Sequence, residues 1–287
     1  RTVFQAARQG KRPSGEPLST PTPEVIQELP PRDTKLVSTY VRHVGGDPSH
    51  YQTTVPPHLF SQWAFPSVGQ TLVGIPYPMM KVVNGGCRVE INSPLPNDEP
   101  LVVRAPLHDI KDNGRRAVLH QKIITETQSA PNALVSHLYA IVPSGNRGKK
   151  SSTSGGSKSA KNPRPKARVP ENARELAFWD LPANAGLDFA KLTGDFNPIH
   201  WLPAYAKASG FKNTILHGFG TFARAMEGVN ATLCAGASQI EVFDAKFTRP
   251  LVLPAKVGLY VDDESNVYVG DAPGGPAYMV ASITLTQ

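Results

Sequence analysis

Asp195 and His200 stand five residues apart in Thr193-Gly-Asp-Phe-Asn-Pro-Ile-His200, which we expect to form an irregular loop. Pro198 fixes the backbone between the two side chains. A rigid loop that presents a carboxylate and an imidazole suits paired proton transfer. Asn197 lies between the two, where its amide could orient either group. The same spacing also fits an ordinary Asx turn followed by a surface histidine, so spacing alone leaves both interpretations open.

A second motif, Ile215-Leu-His-Gly-Phe-Gly220, leads directly into a helix predicted from Thr221 to Leu233. The free N–H groups at that helix start, with Gly218 first among them, could hold a developing oxyanion. His217 directly precedes the helix start, where both a substrate contact and a structural role are open. An acid/base pair with an oxyanion donor would add water across a double bond conjugated to a carbonyl.

Other enzyme classes find less support in the sequence. Gly218-Phe-Gly-Thr-Phe-Ala223 also matches a dinucleotide fingerprint, and Glu241 lies about twenty residues further on. The surroundings lack the strand–helix–strand units of a dinucleotide-binding fold, so we expect no cofactor. The eight histidines form no HExxH motif and no Cys/His cluster, so we expect no metal site. No nucleophilic triad is apparent, which disfavours an acyl-enzyme hydrolase.

Three segments together resemble the signature of MaoC-like R-specific enoyl-CoA hydratases. They are Leu192-Thr-Gly-Asp-Phe-Asn-Pro-Ile-His200, Ala206-Lys-Ala-Ser-Gly-Phe211 and Ile215-Leu-His-Gly218. The resemblance implies that Asp195 activates water, that His200 exchanges the proton at the α-carbon, and that the Gly218 N–H contacts the thioester oxygen. It also implies that Asn197 supports the loop, and we take His217 as a further candidate for the substrate site. The substrate would be an acyl-CoA or acyl-carrier-protein thioester.

The sequence departs from that family pattern in two places. Leu202 replaces the Asp that commonly precedes Pro203, so the short helix predicted from Pro203 to Ser209 lacks its usual cap. Lys212-Asn-Thr214 replaces the usual basic-Pro approach to Ile215. The first departure concerns stability, whereas the second concerns the substrate entrance.

The resemblance implies an α+β double hotdog, in which each unit wraps an antiparallel β-sheet around a long central helix. Both halves of the chain show a helix followed by strands, which supports two copies of one unit. The first half contains a helix candidate from Pro57 to Val73, interrupted by Pro66, and only a faint echo of the catalytic loop in Gly45-Gly-Asp-Pro-Ser-His50. We therefore predict that this half is non-catalytic and shapes the acyl-chain tunnel. A non-catalytic acyl-thioester-binding module is the alternative function, since hotdog folds also bind without catalysis.

Composition divides the chain further. We predict an N-terminal arm at 1–35, a degenerate hotdog at 36–143, a disordered basic linker at 144–170 and a catalytic hotdog at 171–287. The linker holds eight of the 30 Lys and Arg residues and no acid. Removing those eight leaves 22 basic against 23 acidic residues, so the net charge of +7 does not indicate nucleic-acid binding.

Location and assembly are less constrained. The longest apolar runs are too short for a membrane span, and the start of the sequence lacks the apolar stretch of a secretory signal. Two cysteines without a CxxC motif fit a reducing compartment, and we expect a cytoplasmic protein. A homodimer is compatible with the sequence.

Overall fold

The structure is a computed structural model that describes residues 19–144, 166–234 and 239–286. The first half contains helices α1 and α2 and eight strands. In chain order these are β1 (Val25–Leu29), α1 (Thr34–His43), β2 (Thr54–Val55), α2 (Ser61–Thr71), β3 (Val83–Ile91), β4 (Leu95–Pro96), β5 (Leu101–Ala105), β6 (Leu107–Asp112), β7 (Arg116–Glu126) and β8 (Leu134–Pro143). Short 3-10 turns cover Pro48–Tyr51, Pro57–Leu59 and Met79–Lys81.

The second half repeats the pattern of helices followed by strands. Its elements are β9 (Arg174–Leu181), α3 (Ala185–Thr193), a 3-10 turn at Pro198–His200, α4 (Pro203–Ala208), α5 (Gly218–Thr232), β10 (Ile240–Phe247), β11 (Ala255–Val261), β12 (Asn266–Gly270) and β13 (Ala277–Leu285). The prediction of an α+β fold with one long helix in this half is therefore confirmed. No helix within the described ranges has the length and apolar character needed to cross a membrane.

One antiparallel sheet of eleven strands joins the two halves. Its order is β1-β5-β7-β8-β3-β10-β13-β12-β11-β9, with β6 paired to β7. Strands β3 and β10 pair at the centre, where Cys87 lies opposite Ala245. Alternate residues of the strands point to opposite faces, and one face is buried against the helices. On β7, for example, buried and partly exposed side chains alternate along the strand.

The sequence Asp112-Asn-Gly114 is typical of a tight hairpin turn, and such a turn connects β6 and β7 here. Gly114 takes a φ of +78°, and the Asp112 carboxylate accepts a hydrogen bond from the Gly114 N–H at 2.8 Å. Gly occupies such a left-handed position without a steric penalty. The turn therefore forms for the reason that the sequence suggested.

Two predictions about helices were wrong. Helix α2 continues through Pro66, although proline removes one helical hydrogen bond. Trp63, Ala64 and Val68 are buried on the same helix, so apolar packing offsets that loss. The second prediction is that Pro182 and Gly186 keep residues 181–186 free of any regular element, since both residues interrupt helices and strands, yet α3 begins at Ala185. Gly186 is required there because a Cβ atom would overlap the carbonyl oxygen of His200.

The predicted arm and linker also need correction at their described ends. Strand β1 lies in the segment assigned to the arm, but it pairs with β5 along Val25–Leu29 and so extends the sheet. Residues 166–170, which were assigned to the linker, pack on the second half. Arg168 forms a bridge with Pro276, and Val169 is buried against Tyr260 and Ala277. The rest of both segments, residues 1–18 and 145–165, lies outside the described residues.

Candidate active site

The loop between α3 and α4 carries the predicted acid/base pair. Gly194 ends α3 with a φ of +81°, which turns the chain towards Asp195. The Asn197 side chain then accepts a hydrogen bond from the Ile199 N–H at 3.3 Å and caps the 3-10 turn that ends at His200. Asn197 is itself exposed. This local arrangement follows from Asn–Pro chemistry, because the Asn side chain bonds its own backbone two residues on.

The two histidines of the motifs meet Asp195 in one cluster. One side-chain ligand atom from each of Asp195, His200 and His217 lies within 4.8 Å of the others. The imidazole rings of His200 and His217 stack with centroids 3.5 Å apart, and both residues are buried. Asp195 remains partly exposed, with 26% of its side chain accessible. The structure therefore brings together residues that are 22 positions apart in sequence.

Hydrogen bonds to carbonyl groups fix which nitrogen of each neutral ring carries the hydrogen. His200 donates from Nδ1 to the Ile215 carbonyl at 2.8 Å, and His217 donates from Nε2 to the Asp195 carbonyl at 2.9 Å. A carbonyl only accepts, so the neutral His200 carries its free lone pair on Nε2. His217 also lies near the Asp195 carboxylate, with Nε2 3.8 Å from Oδ2. His217 thus holds the backbone of Asp195 in place beneath His200.

Burial shifts the pKa values of the pair towards each other. Loss of hydration raises the pKa of Asp195, against an opposing effect from His200 and from the Asn197 N–H. Loss of hydration also lowers the pKa of His200, opposed by the Asp195 charge. For His217, burial and the neighbouring His200 lower the pKa well below its usual value. A carboxyl and an imidazole with converging pKa values can exchange one proton at little cost.

Gly218 begins α5 directly after His217. Among the hydrogen bonds of the described residues, none uses the Gly218 N–H, as expected for the first residue of a helix. A Cβ atom at this position would lie 2.7 Å from the Phe247 ring, so the close packing requires glycine. The helix N-terminus therefore presents a backbone donor beside the histidines, with the positive end of the helix dipole behind it.

The three clustered side chains are also the set that could hold a metal ion, since two imidazoles and a carboxylate are common ligands. Each histidine already uses one nitrogen on a backbone carbonyl, so one nitrogen of each ring remains for a substrate, a proton or an ion.

Sequence reasoning missed a group of residues in the first half that is arranged like the surroundings of His217. His58 stacks on Tyr40 with ring centroids 5.5 Å apart, and His217 similarly contacts Phe189 with centroids 4.9 Å apart. Tyr40 and Phe189 contact each other, so the two pairs are adjacent. Pro57-His-Leu-Phe60, directly before α2, therefore corresponds to Leu216-His-Gly-Phe219, which spans the start of α5. That likeness was a signal that could have identified His58. The first half carries Leu59 where the second carries Gly218.

Glu227 lies next to His58 in this group of residues. It reaches from α5, and its Oε1 lies 2.7 Å from His58 Nε2 and accepts a hydrogen bond from the Tyr51 hydroxyl at 2.8 Å. Its carboxylate packs against the Gly46 backbone so closely that a Cβ atom there would overlap it. Gly46 lies in the faint echo of the catalytic loop, and His50 at the end of that echo is exposed. A buried glutamate from the second half is thus the partner of His58 at this location.

Comparison with known proteins agrees with this arrangement. Residues 164–270 match the model of the family described as MaoC like domain. The chain is 31% identical over 182 residues to an enoyl-CoA hydratase, ChsH3, of Mycobacterium tuberculosis, covering 61% of this chain and 58% of that protein. It is 28% identical over 238 residues to 3-hydroxyacyl-thioester dehydratase X of the same organism, covering 82% and 78%. The chain thus spans less than two thirds of the length of the first of these relatives.

Solved structures resemble the whole described fold. The crystal structure of HtdX from M. tuberculosis superposes with a TM-score of 0.70 at 20% identity, covering 91% of this chain and 98% of that one. Another M. tuberculosis protein, reported to have a double hotdog fold, superposes with a TM-score of 0.57 at 12% identity and covers 92% and 97%. Residues 164–270 thus match a MaoC like domain, and the chain folds as a double hotdog.

Proposed function

We propose that this protein catalyses the reversible hydration of trans-2-enoyl thioesters to (R)-3-hydroxyacyl thioesters. The observation that carries the proposal is the cluster of Asp195, His200 and His217 beside the N-terminus of α5, inside a MaoC-like domain. The names of the relatives, an enoyl-CoA hydratase and a 3-hydroxyacyl-thioester dehydratase, describe two directions of one reaction. The protein therefore acts as a hydro-lyase.

The proposed reaction begins with ionised Asp195 and protonated His200. Asp195 takes a proton from water while the water oxygen bonds to the β-carbon, and His200 gives the proton on Nε2 to the α-carbon. The thioester oxygen gains negative charge during the addition and accepts a hydrogen bond from the Gly218 N–H. The products leave Asp195 protonated and His200 neutral, which is the starting state for dehydration. The converging pKa values of the pair support both directions.

The remaining residues have supporting roles in this proposal. His217 positions the Asp195 backbone through its hydrogen bond, and Asn197 holds the 3-10 turn that orients His200. The carrier is CoA or acyl-carrier protein, both of which present the same thioester. We also propose a two-hotdog organisation with a linker between residues 144 and 166, and a cytoplasmic location.

Hydration of crotonyl-, octenoyl- and longer trans-2-enoyl-CoA substrates tests the function, with chiral analysis of each product. The proposal predicts loss of the enoyl-thioester absorbance and formation of the (R)-3-hydroxyacyl-CoA product. Tight binding of the saturated acyl-CoA without hydration at any chain length would instead favour the non-catalytic acyl-thioester-binding module. An (S) product would contradict the proposed geometry of the pair.

A further inference from the structure

Arg224 is a charged residue that the proposed reaction does not use. It lies on α5 one turn before Glu227 and therefore on the same face of the helix, directed towards the first half of the chain. Part of its surface remains accessible. Loss of hydration lowers the pKa of its guanidinium to about 10, so the group stays charged near neutral pH. Within the described ranges, it forms neither a hydrogen bond nor an ion pair.

The two carboxylates that act on the same neighbouring groups as Arg224, Glu227 on Tyr40 and Asp188 on His43, already have partners. Glu227 is held by His58 and Tyr51, as described above. Asp188 on α3 accepts hydrogen bonds from Lys191 at 3.1 Å and from Asn184 at 2.7 Å. Neither carboxylate lies within ion-pair distance of Arg224. A partly buried guanidinium without a carboxylate partner is uncommon, because charges that lose hydration in proteins are normally paired.

His43, at the end of α1, is a second residue with a polar atom that lacks a hydrogen-bond partner among the described residues. This atom is Nε2, which is buried. Burial and then the Arg224 charge lower the pKa of His43 to about 4, which places the two side chains near each other. The His43 ring contacts Phe189 at 6.3 Å between centroids, and Phe189 contacts His217 at 4.9 Å. A chain of ring contacts thus links His43 to the candidate active site.

We propose that Arg224 and His43 bind an anionic oxygen of the ligand that occupies the active site. The inference rests on the proposed function, since it assigns a polar subsite to the same thioester. Arg224 supplies the positive charge, and His43 supplies a hydrogen bond from its ring nitrogen. A carboxylate on the far end of the acyl chain and a phosphate of the carrier have the required chemistry. Binding of either anion at this subsite would leave proton transfer by Asp195 and His200 unchanged.

Binding of three saturated thioesters separates these sources without requiring turnover. Hexanoyl-pantetheine carries neither anion, hexanoyl-CoA carries phosphates, and adipyl-pantetheine carries a distal carboxylate. Calorimetry would compare the parent protein with Arg224→Gln, and with Arg42→Gln as a matched control. Arg42 is an exposed arginine on α1 that bonds Ser38. Circular dichroism and thermal melting would verify that each variant is folded.

We expect Arg224→Gln to weaken binding of hexanoyl-CoA or of adipyl-pantetheine by about ten-fold, which corresponds to about 1.4 kcal/mol. Binding of hexanoyl-pantetheine should change by less than about two-fold, and Arg42→Gln should have no effect on any ligand. Weaker binding of adipyl-pantetheine would show that the subsite binds the carboxylate of the acyl chain. Weaker binding of hexanoyl-CoA would show that it binds a phosphate of the carrier.

Unchanged affinity for both anionic ligands in Arg224→Gln would overturn the subsite, and so would an equal loss for all three ligands. Absence of enoyl-CoA hydration by the parent protein would contradict the proposed function but leave this binding result valid. The two failures are therefore distinguishable.

Discussion

Glu227 joins residues from the two halves of the chain through its contacts with His58 and Tyr51. Its side chain is 3% exposed and that of His58 is fully buried. The Glu227 carboxylate therefore obtains its hydrogen bonds from these two partners rather than from water. Hydrogen bonds from both residues lower the pKa of Glu227 against the effect of burial, so the ionised form persists in the folded protein.

Removal of the Glu227 carboxylate should destabilise the protein. We expect Glu227→Ala to lower the free energy of unfolding by about 3–5 kcal/mol, because breaking a buried pair leaves His58 without its partner. Urea unfolding would measure the change. Glu227→Gln keeps the shape and part of the hydrogen bonding, so its loss should be smaller. Equal unfolding free energies for the parent and Glu227→Ala would show that the pair does not stabilise the fold.

Helix α4 begins at Pro203 with Leu202 as its N-cap, and Leu202 forms no side-chain capping bond. The departure from the family pattern at that position predicted this absence. Leu202 is 40% exposed, so a polar replacement loses little packing. We expect Leu202→Asp to raise the free energy of unfolding by about 1 kcal/mol, since an Asp cap accepts a bond from a free N–H of the first turn.

Thermal melting would test the cap, with Leu202→Ala as the control that shortens the side chain without adding an acceptor. A gain that is equal in both variants would show that removal of the exposed leucine, rather than capping, stabilises the helix.

Elements with local signals were the ones that the sequence predicted well. The loop before His200 and the helix after Gly218 depend on Gly, Pro and Asn at fixed positions, and both occur as expected. Strand β1 was missed because its partner, β5, lies more than seventy residues away and its own sequence is short and mixed. The His58–Glu227 contact joins residues 169 positions apart, so no local pattern could reveal it. The roles of Asp195, His200, Asn197, His217 and Gly218 remain predictions.

The two halves share one sheet and one hydrophobic core. Strands β3 and β10 pair across the centre, and Phe60 of the first half contacts Phe219 and Phe222 of the second at 5.4 and 6.5 Å between ring centroids. Such an interface resembles a domain core rather than a contact between independent units. We expect cleavage of the chain between residues 144 and 166 to leave the halves associated and active.

Size-exclusion chromatography and the hydration assay, before and after cleavage at an inserted protease site, would measure this. The uncut protein with the same insertion is the control. Separation of the cleaved halves into stable monomers would contradict the shared core.

Two partly buried histidines should make the whole molecule less stable in mild acid. Burial lowers the pKa of His43 and of His120 to about 4, from 6.5 in the unfolded chain. Between these values the unfolded state binds more protons, so the free energy of unfolding should fall as pH falls from about 6.5 to about 4. Urea unfolding at several pH values would measure the slope. His120→Asn should reduce the dependence of the unfolding free energy on pH. An unchanged slope would show that His120 does not contribute to this dependence.

The central claim is that Asp195 and His200 form the acid/base pair of an enoyl-thioester hydratase. Its most direct test is the turnover number for trans-2-enoyl-CoA hydration in the parent protein, Asp195→Asn and His200→Gln. Both variants should fold, because the two residues lie on a loop, and circular dichroism would verify this. Each should lose about 100-fold or more in turnover, as positioned proton transfer contributes at least that much. Near-parental turnover in either folded variant would contradict the assignment.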